Sequence, residues 1–136
     1  MYIRLLYLTR ESHPSFRPDI AVLFGEELPR HGVQTDIVAL GESSGAARWA
    51  GGQAFTRQVS FGLRRQCARL RVAIDLLRLT RGNRYDAIQV RDRIAGALIA
   101  LCIARWRGLP FYYWMSFPFP DAWIDIGRGV AASGTP

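Results

Sequence analysis

The chain has 136 residues, of which 49% are hydrophobic and 21% charged, enough for one domain with an apolar core and too few for two. Its formal net charge is +7, and all 18 basic residues are arginine. The charge indicates a surface that attracts anions, such as phosphates and lipid headgroups. Alternatively, the use of arginine alone reflects only the codon bias of a GC-rich gene. No apolar run reaches the roughly 20 residues that a membrane-spanning helix needs. Cys67 and Cys102 have no His or Cys at zinc-ligand spacing, so we expect both to be small buried hydrophobic residues.

Apolar runs along the chain predict strands, and the segments between them predict helices. The strands are Ile3–Leu8, Val33–Leu40, Tyr85–Val90 and Pro110–Met115. The helices are one capped by Asp19, a long one from Gln58 to about Arg81, and an apolar one over Ile94–Trp106 that we expect to be buried nearly all round. Between the second strand and the long helix, the segment Gly41–Gly52 is rich in Gly, Ser and Ala and predicts an exposed loop.

The resulting order, β-α-β-α-β-α-β, is typical of a doubly wound parallel sheet of the α/β, Rossmann-like class. We expect the domain to cover residues 1–124 and a flexible tail to follow over 125–136. Only four strands are evident in the sequence, so we expect the domain to be incomplete.

The loops that follow the strands decide function in this class, because ligands bind at the carboxyl ends of parallel strands. The loop after the first strand contains no glycine, which excludes a GxGxxG fingerprint or a phosphate-binding P-loop there. The absence of lysine excludes the P-loop lysine and a phospho-receiver domain, and no GxSxG motif is present. The loops instead predict a binding site for an anionic or hydroxyl-rich ligand, formed by Arg10, His13, Arg17, Arg91 and Asp92.

Two stretches resemble GT-B glycosyltransferases of the family-four type. The stretch YIRLLYLTRESHPSFRPDIAVLFGEELPRHGVQTDIVAL is similar to the first β-α-β unit of that family. The stretch YDAIQVRDRIAGALIALCIARWRGLPFYYWMSFPFPDAW looks like its later strand ending in Arg91-Asp92, its Ala/Leu-rich helix and its aromatic strand. The resemblance covers about residues 1–124 and is more specific in the second stretch.

The resemblance implies an enzyme with two Rossmann-like domains, of which this chain supplies the acceptor side. A nucleotide-sugar donor would bind mainly to a C-terminal domain that the chain lacks, and the acceptor would be a polysaccharide or a lipid-linked sugar at the cytoplasmic face of the membrane. Such enzymes are usually independent of metal, so we expect no metal and no cofactor. Members often carry a His at the end of the fourth strand, where Ser116 stands here. We expect the chain alone to be inactive.

Several residues are candidates for the site, each with a plainer structural alternative. Asp92 is the catalytic candidate, orienting an acceptor hydroxyl, unless it only caps the following helix. Arg91 would contact the acceptor or a phosphate. Ser116 would line the cleft or serve only as a turn residue, and His13 would touch the substrate or be an ordinary loop residue. Arg10 and Arg17 complete the predicted substrate-binding set.

Four arginines recur every seven residues, and this spacing predicts that they lie along one side of the long helix. The row consists of Arg57, Arg64, Arg71 and Arg78. Such a row is either a solvated face or a contact with an anionic membrane surface, where each arginine contributes about 1 kcal/mol.

Two other functions remain open at this point. One is a small basic α/β module that binds nucleic acid or a membrane without catalysis. Nucleic acid is not the expected partner, because the aromatic residues fall in predicted core strands and are not interleaved with arginine in a recognisable motif. The other is a flavodoxin-like or nucleotide-binding domain, which would need a phosphate loop that the sequence does not offer.

Overall fold

A six-stranded sheet organises the protein, and a computed structural model describes residues 2–15, 17–41, 44–58, 74–82 and 84–116. The strands are β1 (Ile3–Ser12), β2 (Val33–Gly41), β3 (Gly45–Trp49), β4 (Gly52–Gln58), β5 (Ala87–Arg91) and β6 (Phe111–Trp114). The helices are α1, formed by a π-helical segment (Asp19–Glu27) and one α-helical turn (Leu28–Arg30), α2 (residues 74–79) and α3 (Ile94–Arg107). The predicted domain limit at residue 124 and the predicted tail lie outside the described residues.

The strand order is β3-β4-β2-β1-β5-β6, and every neighbouring pair except β3–β4 is parallel. β1 is central, with Leu6 opposite Asp36 of β2 on one side and Ile88 of β5 on the other. The chain first builds the sheet to one side of β1, through β2 and β4, and then crosses over to build β5 and β6 on the other side. This confirms the predicted doubly wound α/β class.

The core lies on both faces of β1, because successive side chains of a strand point to opposite sides. On one face, Leu6 and Leu8 pack with residues of α2, α3 and β5. On the other face, Leu5 and Tyr7 pack with Ile20 and Phe24 of α1. A strand that is buried on both faces is apolar where it is buried, which is the pattern that the sequence shows at Leu5–Leu8.

The predicted exposed loop at Gly41–Gly52 is wrong in part, since β3 and β4 form an antiparallel hairpin there. Trp49 anchors the hairpin by donating its indole N–H to the carbonyl of Thr35 over 3.0 Å. Gly52 adopts a φ of +156°, and a Cβ there would lie 2.7 Å from the carboxylate of Asp36. The predicted start of the long helix at Gln58 is also wrong, because Gln58 ends β4. Of that helix, only α2 lies in the described part of the chain.

The helix α1 begins after Pro18 and ends before Gly32, whose left-handed φ of 77° suits glycine. Asp19 is not its N-cap, as the sequence predicted, but lies inside its first turn. Pro29 falls in the terminal α-helical turn.

The helix α3 is not buried nearly all round, contrary to the prediction. It packs on the sheet through Gly96, Ala100, Ile103 and Ala104. A Cβ on Gly96 would lie 3.1 Å from Leu8, so small residues allow this close approach. The opposite side carries large apolar residues that remain exposed, and Cys102 is exposed as well rather than buried. Within the described residues, no helix combines the length and apolarity needed to cross a membrane.

Candidate functional site

The carboxyl ends of β1 and β5 meet where the chain reverses its direction of sheet building. This switch point is where open α/β sheets form a ligand crevice, because the loops after the two strands diverge to opposite faces. Four residues from three segments converge there, and we call them the crevice cluster: Asp19 at the start of α1, Arg91 and Asp92 at the end of β5, and Ser116 after β6.

Arg91 is the centre of the crevice cluster and is only 2% exposed. Its Nε donates to the hydroxyl of Ser116 over 2.6 Å and lies 3.4 Å from Asp92 Oδ2, while its Nη1 forms an ion pair with Asp19. The guanidinium also lies 5.0 Å from the ring centroid of Trp114. A buried guanidinium is stable only when its charge and donors are paired, so Arg91 holds these groups in fixed positions.

Asp92 is held by contacts that differ from the predicted helix cap. The residue before α3 is Arg93, with no side-chain cap, and Asp92 Oδ1 instead accepts the backbone N–H of Ser116 over 2.9 Å. The N-cap alternative is therefore wrong. Burial pushes the pKa of Asp92 up, but hydrogen bonds from Ser116 and the charge of Arg91 outweigh it and hold the pKa below its usual value. Such a carboxylate stays ionised, accepts a hydrogen bond well and removes a proton poorly.

Arg17 lies at the rim of the cluster. Its Nη1 donates to Glu11 over 2.7 Å, and its Nε lies 3.7 Å from Asp19. Among the side chains that the structure describes, the crevice thus contains three carboxylates, of Glu11, Asp19 and Asp92, and two guanidiniums, of Arg17 and Arg91. Arg17 and Arg91, two of the arginines that the sequence suggested as anion binders, are already paired with carboxylates of the protein. The described part of the crevice therefore favours hydroxyl groups over an additional phosphate.

An aromatic group lies beneath the crevice and was not predicted. Tyr7 stacks on Phe24 with 4.4 Å between centroids, and Trp114 lies 6.0 Å from Phe24. Burial raises the pKa of Tyr7, whose hydroxyl lies beside Arg91. No group in the described ranges meets hydrogen-bond geometry with that hydroxyl. A tyrosine in an apolar strand next to a ligand loop was the one signal in the sequence that could have identified it.

The other predicted substrate residues are placed differently. His13 packs edge-on against Trp49, 5.9 Å between ring centroids, and burial lowers its pKa, which favours the neutral ring. Arg10 belongs to β1, and its side chain lies outside the described part of the structure. The structure therefore brings together Arg91, Asp92 and Ser116, with Arg17 beside them, and leaves His13 against the hairpin.

The predicted helical row of arginines is wrong for Arg57, which lies in β4. Its guanidinium makes a bidentate ion pair with Asp75 of α2, over 2.7 and 2.5 Å. A cleft of about 380 Å³ lies between β4 and α2, and the Arg57–Asp75 pair lines it. Arg78 is exposed on α2 and lines the same cleft. Arg64 and Arg71 lie outside the described residues. Across the described ranges, no three His, Cys, Asp or Glu residues group as metal ligands.

Comparisons with known proteins rest on structure, since no family model and no curated protein matches the chain. The C-terminal domain of a hydrogenase from Pyrococcus furiosus matches with a TM-score of 0.61 and 8% identity, over 82% of this chain and 89% of that domain. UDP-GlcNAc 2-epimerase from Methanocaldococcus jannaschii matches with a TM-score of 0.55 and 10% identity, over 82% of this chain and 31% of the epimerase. MurG from Acinetobacter baumannii matches with a TM-score of 0.51 and 12% identity, over 83% of this chain and 35% of MurG. At such identities these likenesses show the fold alone, a Rossmann-like α/β domain.

Proposed function

We propose that this chain is the acceptor-side part of a GT-B glycosyltransferase. An acceptor hydroxyl would displace a nucleoside diphosphate from a nucleotide-sugar donor held mainly by a second Rossmann-like domain. The fold that the chain shares with parts of MurG and of UDP-GlcNAc 2-epimerase supports this class. The observation that carries the proposal is the crevice cluster, in which a buried arginine fixes an ionised carboxylate and a hydroxyl at the switch point.

Within this proposal, Asp92 accepts a hydrogen bond from the acceptor and orients its hydroxyl toward the donor. Arg91 positions Asp92 and Ser116 and does not itself bind phosphate, because its charge is already matched by Asp19 and Asp92. Arg17, at the rim of the crevice cluster, contacts the rest of the acceptor, and Arg10 and His13, in and after β1, are the remaining candidates for that contact. Stabilisation of the departing diphosphate would come from the donor domain.

The proposed place of action is the cytoplasmic face of the membrane, with a polysaccharide or lipid-linked sugar as the acceptor. The preference of the crevice for hydroxyl groups gives this proposal a specific binding signature. A neutral oligosaccharide should bind at the crevice, whereas inorganic phosphate and UDP should not.

The test is a titration of the ¹⁵N-labelled chain with a panel of neutral oligosaccharides, with UDP and with inorganic phosphate, followed by amide chemical shifts. We expect shifts at Asp92 and Ser116 with at least one oligosaccharide, and none there with UDP or phosphate. We also expect no sugar transfer when the chain alone is mixed with nucleotide sugars. Tight binding of UDP or of a dinucleotide in the crevice, or transfer by the chain alone, would contradict the proposal.

A further inference from the structure

The edge strand β6 presents an aromatic side chain to each face of the sheet. Phe111 packs in the core cluster with residues of α3, whereas Trp114 packs in the cluster that contains Phe24 of α1. Since side chains alternate along a strand, Tyr112 points to the same face as Trp114, and Tyr113 points to the same face as Phe111. Tyr112 therefore lies on the α1 side of the sheet and Tyr113 on the α3 side.

The α1 side of β6 is open to solvent at Tyr112, which is 58% exposed. The helix α1 lies over the other half of the sheet, where it packs against β2 and stacks Phe24 on Tyr7 of β1. It approaches β6 at Trp114, whose ring centroid lies 6.0 Å from that of Phe24. The ring of Tyr112, two residues earlier in the strand, is left uncovered by the described helices.

An amide side chain lies next to this ring. Tyr112 is opposite Gln89 of β5 in the register of the sheet. Ala87 belongs to the core cluster on the α1 side, so Gln89, two residues later in β5, points to that side as well. Gln89 is partly buried, and its side-chain amide hydrogen-bonds to no group in the described ranges. We call Tyr112 and Gln89 the β6 pair.

The chemistry of the β6 pair fits a neutral sugar ring. A pyranose has C–H groups on its faces and hydroxyl groups around its rim. The C–H face would bury apolar surface against the Tyr112 ring, and the rim hydroxyls would exchange hydrogen bonds with the Gln89 amide, which both donates and accepts. The strand β6 carries no charged residue, and the one charge of β5, on Arg91, is already paired with Asp19. These two strands therefore offer no free ion to a phosphate.

The β6 pair is continuous with the crevice cluster. Trp114 lies between them on the same face, and its ring centroid is 5.0 Å from the guanidinium of Arg91. Tyr112 precedes Ser116 by four residues, which corresponds to about 13 Å of extended chain. A single sugar ring is too small to reach both places, so Asp92 and Tyr112 would contact different units of one oligosaccharide.

A second copy of the chain is a poorer occupant of this face. One exposed ring and one amide offer far less area than the roughly 800 Å² per partner that a stable protein interface buries. The net charge of +7 also opposes self-association. A neutral ligand of a few sugar units needs neither a large area nor a charge.

We propose that the β6 pair is a second sugar subsite, in which Tyr112 stacks on one unit of the acceptor while Asp92 orients a hydroxyl of another unit. The inference rests on the proposed function and extends it, because it makes affinity depend on the length of the acceptor. A monosaccharide fills only the crevice, whereas a longer oligosaccharide fills the crevice and the β6 pair together. Tyr112 and Gln89 are thereby residues that select long acceptors over short ones.

Calorimetric titration with neutral oligosaccharides of one to five units tests the proposal, using the maltose, cellobiose and chitobiose series as probes. In the series that binds, we expect the affinity of the wild type to rise roughly ten-fold with length. Tyr112→Ala should abolish this rise and leave the affinity for the monosaccharide unchanged, whereas Tyr112→Phe should keep it, because the ring remains. Gln89→Met should reduce the rise roughly threefold. The matched control is Tyr113→Ala, which removes a 42% exposed ring from the other face of the same strand and should change nothing.

Amide chemical shifts recorded in the same titrations separate the subsite from the proposed function. Shifts at Asp92 and Ser116 with an affinity that does not depend on length would overturn the subsite and leave the proposed function standing. A rise with length that Tyr112→Ala abolishes, without shifts at Asp92 and Ser116, would keep the sugar site on β6 and contradict the proposed function. Binding of none of the oligosaccharides would overturn both.

Two further results would also overturn the subsite. One is an equal loss of affinity in Tyr112→Ala and Tyr113→Ala, which would place the effect in the stability of β6 and not in contact with sugar. Melting temperatures from circular dichroism, which should be equal in these two variants, check this directly. The other is a dimer of the wild type that dissociates in Tyr112→Ala, which would assign this face to a second copy of the chain.

Discussion

Arg91 and Ser116 are joined by a 2.6 Å hydrogen bond from the guanidinium Nε to the hydroxyl, which ties the end of β5 to the segment after β6. The backbone N–H of Ser116 donates a second hydrogen bond, of 2.9 Å, to Oδ1 of Asp92. Two neighbouring residues, at the end of β5 and just after it, are thereby hydrogen-bonded to one residue that follows β6. The hydroxyl at position 116 is therefore a positioning group for the crevice cluster.

Ser116→Ala should destabilise the fold by about 1–2 kcal/mol, because it removes the acceptor of a buried charged donor and keeps the backbone bond to Asp92. Ser15→Ala is the control, since Ser15 only accepts the N–H of Arg17 at an exposed site over 3.3 Å. Urea unfolding monitored by Trp fluorescence measures both. Equal losses in the two variants would show that the bond to Arg91 contributes nothing special.

Acid should weaken the protein partly through Asp92. Its pKa is depressed in the folded state, so the stabilisation is fully present above the unfolded pKa of about 3.9 and is lost as the pH falls through the folded pKa. Asp92→Asn removes this dependence and keeps a residue that tolerates the positive φ of 51°. The difference in unfolding free energy between wild type and variant should stay constant above about pH 5 and shrink as the pH falls from there through the folded pKa. A difference that stays constant over that range would contradict the assignment.

Two buried tyrosines should respond in opposite ways to loss of the hydroxyl. Tyr85 donates to Asp36 over 2.8 Å, so Tyr85→Phe should cost about 1–2 kcal/mol. The hydroxyl of Tyr7 has no partner of hydrogen-bond geometry in the described ranges, so Tyr7→Phe should be neutral or slightly stabilising. Guanidinium denaturation of the matched pair measures the contrast. A loss at Tyr7 as large as that at Tyr85 would show that its hydroxyl is paired in solution.

The β3–β4 hairpin should be intolerant of a side chain at Gly52 and tolerant of one at Gly45. Gly52→Ala would place a Cβ 2.7 Å from the Asp36 carboxylate and 2.8 Å from the Thr35 carbonyl, and should cost about 2 kcal/mol or more. Gly45→Ala in β3 has open space and should be neutral or stabilising. Melting temperatures of the two variants decide this, and equal shifts would contradict the geometry.

The strands β1, β2 and β5 could be predicted because they contain the buried core of the sheet and therefore show apolar runs in the sequence. The β3–β4 hairpin could not be predicted, because β3 lies at the exposed edge and begins with Gly and two Ala, which give no alternation of apolar and polar residues. The exposure of α3 was missed since composition shows that a helix is apolar but not what covers it.

The sequence predicted which loops form the site but not which of its side chains form ion pairs. Asp92 and Ser116 follow strand ends, which placed them at the crevice from the strand order alone. The pairing of Arg91 with Asp19 depends on how the start of α1 lies against the end of β5, and nothing local in the sequence encodes that contact. For the same reason the neutralisation of Arg17 and Arg91, and with it the preference for hydroxyl groups over phosphate, emerges only from the folded structure.

The central claim is that the crevice cluster binds a hydroxyl-rich acceptor through Asp92. Its most direct test is the affinity of the neutral oligosaccharide that binds the wild type best, measured for Asp92→Asn and for Asp86→Asn. Asp86 is a matched control, because its carboxylate accepts the backbone N–H of Arg4 at the opposite end of β5 over 2.8 Å. We expect Asp92→Asn to weaken binding roughly ten-fold, the effect of one hydrogen bond to a charged group, and Asp86→Asn to leave it unchanged. Equal affinity in the wild type and Asp92→Asn, or an equal loss in both variants, would contradict the claim.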